Sequence, residues 1–155
     1  MTDLVLKFIS LLSTALVTGA MFGIWLGYNP VHFSAPAYLE YQQNAIRGLN
    51  VSMPVLGLIS VISTIVLVFA VKGRQPATYL LIASVAFLVA AGIITRFFNQ
   101  PINSHVITWI LQTMPADWTA LRDKWWHWHI LRMSAGMAGL GLLIIAIIAD
   151  GKTVR

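Results

Sequence analysis

Residues 118–133, WTALRDKWWHWHILRM, run without a break into the apolar segment 134–149. At about 100° per residue, one face of this helix gathers aromatic and cationic side chains within roughly a third of its circumference. The face carries Trp118, Arg122, Trp125, Trp126, His129, Arg132, Met133 and Gly136. The pattern predicts one long helix whose first half presents these groups to neighbouring helices. Its second half is apolar enough to lie in lipid.

The whole chain has the composition of an integral membrane protein. Of its 155 residues, 58% are hydrophobic and 10% are charged, and the mean hydropathy is +0.79. These values exclude a soluble globular domain. A membrane helix needs about 20 mostly apolar residues, and such runs occur at about residues 4–28, 51–71, 77–97 and 131–149. We therefore expect an all-α chain with one four-helix transmembrane domain over residues 1–155.

Composition also narrows the chemistry. The chain has no cysteine, which excludes disulfides, thiolate metal sites, iron–sulfur clusters and cysteine nucleophiles. The net charge of +5 is modest and is divided between the two sides of the membrane. We therefore expect no nucleic-acid partner.

The first apolar run contains Gly19, Gly23 and Gly27, spaced four residues apart. Such a stripe has no side chains, so another helix can approach it closely. Close helix packing is the favoured interpretation. A ligand lying on the bare backbone is the alternative.

A second polar face lies in AYLEYQQNAIRGLN, residues 37–50, just before the second apolar run. On a helical wheel one side of this segment holds Glu40, Gln43, Asn44, Arg47 and Pro54. The segment is continuous with the apolar run and predicts one helix that rises out of the membrane. Pro54 is expected to kink this helix, because proline lacks an amide hydrogen.

Short connections between the spans predict an up-down bundle with both termini on one side of the membrane. Basic residues on that side, such as Lys7, Lys72 and Arg74, favour the cytoplasm for the termini. All four histidines lie toward the opposite side. We expect a bacterial inner-membrane protein. Helices 2 and 4, which contain the second and fourth apolar runs, are expected to extend beyond the membrane on the side opposite the termini.

Three motifs on the histidine side carry a resemblance to a known family: YLEYQQNAIRGLN at residues 38–50, TRFFNQPIN at 95–103, and W-x3-R-x2-W-x3-H-x2-R at 118–132. Together they resemble the anthrone-oxygenase-like family of small four-helix membrane proteins, which is largely a domain of unknown function. The resemblance implies a four-helix fold and, as in some fungal members, oxygenation of an anthrone to an anthraquinone. The family pattern falls on Asn99, Pro101, Asn103, Trp118, Arg122, Trp125, His129 and Arg132.

The aromatic and cationic face has two interpretations. Tryptophan and arginine near helix ends can simply anchor a helix at the membrane interface. A single narrow face, matched by a polar face on the second helix, favours burial between helices instead. The segment with Asn99, Pro101 and Asn103 has two interpretations as well. It either forms a turn capped by its own side chains or closes the top of a pocket between helix 2 and helix 4, the helices of the second and fourth apolar runs.

In an inward-facing site, His129, Arg122 and Arg132 are the candidate catalytic residues. The imidazole, beside two cations, favours its neutral form and can accept a proton from a phenol or carbon acid. The two guanidinium groups would hold the resulting oxyanion, and indoles would stack on a flat ring. The candidate substrate-binding residues are Glu40, Gln43, Arg47, Asn99, Asn103, Trp118, Trp125 and Trp126.

Glu40 has a structural interpretation as well. It is the only carboxylate that we expect on an inward face, so it is predicted to pair with Arg122, Arg132 or Arg47.

Two other classes of function stay open. His127 and His129 diverge by about 160° on the wheel, so a copper, iron or haem redox site would need His129 together with His105, His32 or Glu40. The chain could also be a non-catalytic module that binds lipid or quinone. The preferred mechanism requires no cofactor. The expected partners are membrane lipid and a hydrophobic small molecule, and a homo-oligomer is left open.

Overall fold

The computed structural model describes residues 2–153, and the outermost residues of the expected domain lie outside that range. The described residues form helices and no strands. The α-helices are α1 (Thr2–Gly27), α2 (Ala35–Leu49), α3 (Ser52–Ala70), α4 (Ala77–Ile94), α5 (Gln100–Val106) and α6 (Trp118–Thr153). Short 3-10 turns lie at Pro30–His32 and Leu111–Thr113. The predicted all-α class is confirmed.

Four stretches of the described chain are long and apolar enough to cross a membrane. They are Asp3–His32, Ser52–Ala70, Ala77–Val106 and Trp118–Gly151, and the four predicted apolar runs fall on them. Large apolar side chains on these helices face outward, including Leu58 at 61% exposure and Phe69 at 70%. In water such a surface would be costly, whereas lipid solvates it. The chain is an integral membrane protein.

The four long helices pack side by side, with α1 against α3 and α6, and α4 against α3 and α6. Helix α6 runs antiparallel to α1, because Lys7 meets Asp150 near one end while Met21 meets His129 toward the other. It also runs antiparallel to α4. Helix α6 thus contacts other helices along most of its length, from His129 to Asp150.

Helices α4 and α6 approach each other closely at Gly139. The Ser84 hydroxyl donates to the Gly139 carbonyl at 2.7 Å. A Cβ atom built on Gly139 would stand 2.9 Å from Leu88 Cδ2 and 3.3 Å from the Ser84 carbonyl oxygen. Glycine is favoured here, because any larger residue would force the Leu88 side chain and the opposing backbone of α4 to move.

The single helix expected from residue 37 through residue 71 is broken into two. Helix α2 ends at Leu49 and α3 begins at Ser52. Pro54 cannot donate a hydrogen bond to the Asn50 carbonyl, and its ring crowds that same carbonyl. The chain therefore ends one helix and starts another where we expected only a kink.

The turn interpretation of residues 99–103 is wrong, because the helix continues there. Thr95–Asn99 form a π turn in which the Gln100 amide donates to the Thr95 carbonyl, five residues back. Pro101 then lies at the start of α5, where its missing amide hydrogen costs nothing. A π turn inside a helix often marks a functional site.

Candidate functional site

A cavity of about 690 Å³ lies between α1, α2, the π turn with α5, and the upper part of α6. We call it the polar cavity. Tyr28, Gln42, Asn103, Trp125 and Arg132 supply its main polar groups. Its volume is within the range of pockets that hold a drug-sized ligand.

A chain of hydrogen bonds fixes one wall of the polar cavity. The Tyr28 hydroxyl donates to Gln42 Oε1 at 2.7 Å, and Gln42 Nε2 donates to Asn103 Oδ1 at 3.3 Å. The Trp125 indole N–H donates to the same Asn103 oxygen at 2.8 Å. Three helices are linked in this way, so the Trp125 ring is held in one orientation beside the cavity.

Arg132 places a cation at the polar cavity. Its Nε and Nη2 atoms donate to His129 Nδ1 at 3.2 and 2.9 Å, and Nη1 lies 3.5 Å from Thr95 Oγ1. No carboxylate within residues 2–153 forms an ion pair with it. A half-buried guanidinium without a counterion is costly, so this position is suited to an anionic ligand.

His129 lies behind Arg132, away from the polar cavity. It has no exposed surface, and its Nε2 atom lies 3.1 Å from the Met21 carbonyl oxygen. Because a guanidinium can only donate, Nδ1 is the acceptor and Nε2 carries the proton. The imidazole is neutral in this arrangement, and neither ring nitrogen is free to accept a proton.

The indoles of α6 pack on His129, as an inward-facing site requires. The rings of Trp125 and Trp126 stack on the imidazole with centroids 5.2 and 5.4 Å away. Trp125 is 4% exposed. The face of α6 is therefore buried between helices, and the interpretation as an anchor at the membrane interface alone is wrong.

Arg122 belongs to a different environment from Arg132. It is 8% exposed, forms a 2.8 Å ion pair with Asp123, and lies over the Trp118 ring at 5.1 Å. Ten residues separate the two arginines, which is about 15 Å along a helix. Arg122 does not line the polar cavity. The structure therefore does not bring the two guanidinium groups to one oxyanion.

Tyr38 and Trp118 complete the surroundings of Arg122. The two rings stack with centroids 5.4 Å apart, and Tyr38 is fully buried. Burial raises the pKa of the Tyr38 hydroxyl above its usual value, although Arg122 acts in the opposite direction. The hydroxyl is thus neutral and has no hydrogen-bond partner within the described residues.

The predicted partner of the arginines, Glu40, is not paired with them. Its side chain is exposed, and none of the ion pairs or hydrogen bonds among the described residues includes it. The prediction of a Glu40–Arg pair is wrong, since α2 turns that side of its surface outward. Arg122 instead pairs with its sequence neighbour Asp123.

Gln43, Arg47 and Asn99 have structural contacts. Gln43 Nε2 donates to the carbonyls of Val106 and Trp109 at 3.0 and 2.8 Å, which holds the segment after α5 onto α2. Exposed Arg47 reaches only Gln43 Oε1, at 3.4 Å. Asn99 is fully buried and donates to the Trp125 carbonyl at 3.1 Å, while its own side-chain oxygen has no partner in the described chain. None of the three lines the polar cavity.

The glycine stripe of α1 is not a helix contact, contrary to the favoured interpretation. Cβ atoms built on Gly19, Gly23 and Gly27 would meet nothing within 4 Å. Gly23 and Gly27 instead form part of the wall of the polar cavity. The alternative, a ligand lying on the bare backbone, stays a prediction that these two glycines can serve.

Several cavity residues were missed in the sequence. Tyr28, Gln42, Thr95, Asn50 and Gln100 all line the polar cavity. Gln42 could have been found, because it lies one turn from Tyr38 and one turn from Ile46, and these three are the buried residues of α2. The others have no signal in the periodicity of their own helices.

The His129-centred metal grouping is not formed in the described structure. His32, His105 and Glu40 are exposed, whereas His129 is buried. Among residues 2–153, no three His, Asp or Glu side chains gather closely enough to hold a metal ion together.

Comparison with known proteins gives one match. The family model for anthrone oxygenase matches residues 43–142, about two thirds of the chain. The match includes Asn103, Trp125, His129 and Arg132, and it leaves out α1. No curated protein and no solved structure matches the chain.

Proposed function

The chain belongs to the anthrone oxygenase family, and we propose that it is an oxygenase that acts within the membrane on a flat, hydrophobic, anthrone- or phenol-like molecule. The observation that carries the proposal is Arg132, a guanidinium with no carboxylate partner in the described chain, located at a cavity of about 690 Å³. An ionised substrate oxygen would supply the missing counterion.

The other walls of the polar cavity fit a flat ring. Gly23 and Gly27 expose bare backbone on one side, and the Trp125 indole stands on another. A planar molecule can lie against the glycine wall, where any side chain would hold it away, and can contact the indole. Gln42 and Tyr28 supply neutral donors and acceptors for a second oxygen.

The chemistry follows from stabilising the anion. An anthrone loses a proton from the carbon opposite its carbonyl, and the enolate oxygen then binds Arg132, which lowers the energy of the ionised form. The enolate gives its electrons to dioxygen and a new C–O bond forms at that carbon. The peroxide takes up a proton, and loss of the remaining hydrogen from that carbon as a proton then breaks the O–O bond. One oxygen atom stays as the second carbonyl, the other leaves as water, and one anthraquinone forms for each dioxygen consumed.

In this mechanism His129 is a positioning residue. Its Nδ1 lone pair holds the Arg132 guanidinium, and its Nε2–H anchors the ring to the Met21 carbonyl. The substrate proton leaves to water at the exposed mouth of the polar cavity, beside Tyr41, Asn44 and Asn50. The base role that we expected for His129 would require Arg132 to move away from the ring first.

The test is dioxygen uptake by the purified protein in lipid nanodiscs with 1,8-dihydroxyanthrone, corrected for spontaneous oxidation. Arg132→Gln is expected to lower kcat/KM about 100-fold, because one developing oxyanion loses its donor. Arg132→Lys should recover part of the rate, since it keeps the charge but not the planar fork. Lys124→Gln is the matched control, because Lys124 is an exposed cation on the same helix.

Equal rates in the Arg132→Gln and Lys124→Gln variants would overturn the proposal. Saturable binding of the anthrone without any turnover would favour the non-catalytic binding module. Elemental analysis and an optical spectrum of the active protein would establish whether copper, iron or haem takes part.

We also propose the bacterial inner membrane as the location, with cytoplasmic termini and the polar cavity near the opposite surface. Lys7 and Arg74 lie together at the terminal side, as the positive-inside rule favours. The chain has no cysteine, so single cysteines give a clean readout. A membrane-impermeant maleimide applied to spheroplasts should label Ser104→Cys and not Lys72→Cys. The reverse pattern would invert the topology.

A further inference from the structure

A second cavity of about 440 Å³ lies below the polar cavity, between α1, α3, α4 and α6. We call it the apolar cavity, because its lining is mostly aliphatic. Five residues line both cavities: Met53, Pro54, Thr95, Gln100 and Arg132. The two spaces therefore adjoin each other, and Arg132 borders both.

The apolar cavity faces the lipid. Leu58, Val89, Ile93 and Phe97 line it and are themselves between 39% and 65% exposed on membrane-spanning helices. Gly57 and Gly92 also line it, and Cβ atoms built on them would meet nothing within 4 Å. A molecule held at Arg132 could therefore continue through this space into the bilayer.

One buried polar group in the apolar cavity lacks a partner. The Thr18 hydroxyl has no exposed surface and no hydrogen-bond partner within residues 2–153. Buried hydroxyls are rarely left unsatisfied. A ligand oxygen, or a water that accompanies the ligand, would satisfy it after a small movement of the side chains that cover the hydroxyl in this structure.

We propose that the natural substrate is a tailed amphiphile, with an acidic aromatic head in the polar cavity and an aliphatic tail in the apolar cavity. This inference rests on the proposed function for the head, whose anionic oxygen binds Arg132. The apolar cavity adds the tail. Charge fixes one end of the molecule at the Arg132 guanidinium, and the apolar cavity, which Arg132 also lines, leads from there to the lipid.

The experiment uses 4-dodecyloxybenzoate with a diazirine at the middle of its chain, with the protein in neutral phosphatidylcholine nanodiscs. Photolabelled residues are located by mass spectrometry. Label is expected on Leu88, which lines the apolar cavity and is only 6% exposed, so that a tail contacts it chiefly from within the cavity. The matching benzyl alcohol probe, which has no charge, should label Leu88 about tenfold less.

Two variants and a control locate the binding. Arg132→Gln should lower the Leu88 label about tenfold through loss of the charged contact. Gly57→Leu should lower it similarly by filling the apolar cavity. Gly19→Leu is the matched control, because Gly19 also lies in open space but lines neither cavity.

The outcomes separate this inference from the proposed function. Anthrone turnover without Arg132-dependent label on Leu88 would overturn the tail site and leave the oxygenase in place. Arg132-dependent label without anthrone turnover would support the amphiphile site and count against the oxygenase. Equal label from the acid and the alcohol would overturn the role of Arg132 as the anchor of the amphiphile.

Discussion

Asp150, near the terminal end of the bundle, and Arg132, at the polar cavity, differ in whether they have counterions. At the terminal end, Asp150 is 2% exposed and lies between two cations, 2.5 Å from Lys7 Nζ and 3.4 Å from Arg74 Nη1. Arg74 also reaches Asp3 at 3.0 Å, and this contact raises the pKa of Arg74. At the polar cavity, Arg132 has an imidazole and a hydroxyl but no carboxylate from the described chain, whereas Arg122, nearer the start of α6, is paired with Asp123.

The two halves of the bundle also differ in how tightly their side chains are packed. The terminal half, which we call the closed half, is filled by Leu67, Val71, Leu81, Leu143 and Ala146, each at most 2% exposed. The open half contains the polar cavity and the open glycines of α1. A charge that serves only the stability of the bundle can be paired with an opposite charge of the same chain, as Asp150 is with Lys7 and Arg74. The open half leaves a charge and a volume for a ligand, and this contrast can be tested.

The largest effect is expected from introducing bulk in each half. Gly139→Leu should lower the free energy of unfolding by about 3 kcal/mol, because Leu88 and the Ser84 carbonyl occupy the space. Gly23→Leu should leave folding nearly unchanged but lower anthrone turnover, because its side chain enters the polar cavity. Unfolding in mixed micelles and dioxygen uptake measure the two effects. If both variants fail to fold, the proposed difference in packing between the closed half and the open half is wrong.

A smaller effect is expected from removing the counterion of the closed half. Asp150→Asn should destabilise the fold by about 2 kcal/mol, less than for a fully buried pair because Lys7 and Arg74 remain partly exposed. Turnover by the folded fraction should not change. Asp117→Asn is the control, since Asp117 is exposed. A fall in turnover by folded Asp150→Asn protein would show that the two halves are coupled.

The hydrogen bond that positions Arg132 ranks next. His129→Ala should lower kcat/KM about tenfold, equivalent to about 1.4 kcal/mol, by releasing the guanidinium. His129→Gln should recover part of this loss, because its amide oxygen can accept from Arg132. The pH dependence of the rate should keep its shape in both variants. If the fall in rate at low pH disappeared in His129→Ala, His129 would again be the candidate proton acceptor.

The smallest effect is expected at a buried hydroxyl pair between α1 and α3. Thr14 Oγ1 and Ser60 Oγ lie 2.5 Å apart, and both residues are at most 1% exposed. Thr14→Val and Ser60→Ala should each cost about 1 kcal/mol, and the double variant should cost less than their sum. Ser52→Ala is the control, because Ser52 is exposed and its hydroxyl donates only to the Gly48 carbonyl, four residues back in the chain. Fully additive losses would mean that the pair is not coupled.

The sequence by itself determined the membrane class, the four spans and the buried face of α6. Each of these depends on composition or on the 3.6-residue period of a single helix, which is local information. The face that carries Trp125, His129 and Arg132 is therefore inward as predicted. The axial separation of Arg122 and Arg132 was also present in the sequence, since ten helical residues span about 15 Å.

Tertiary structure decided which faces meet. Periodicity states that Gln42 and Gln43 point in different directions, but only the placement of α2 makes Gln42 the one that joins Tyr28 and Asn103. The same placement leaves Glu40 in the open and turns the glycine stripe toward a cavity. Rotation of a helix about its own axis and its choice of neighbours depend on the summed packing of all helices, which no single segment encodes.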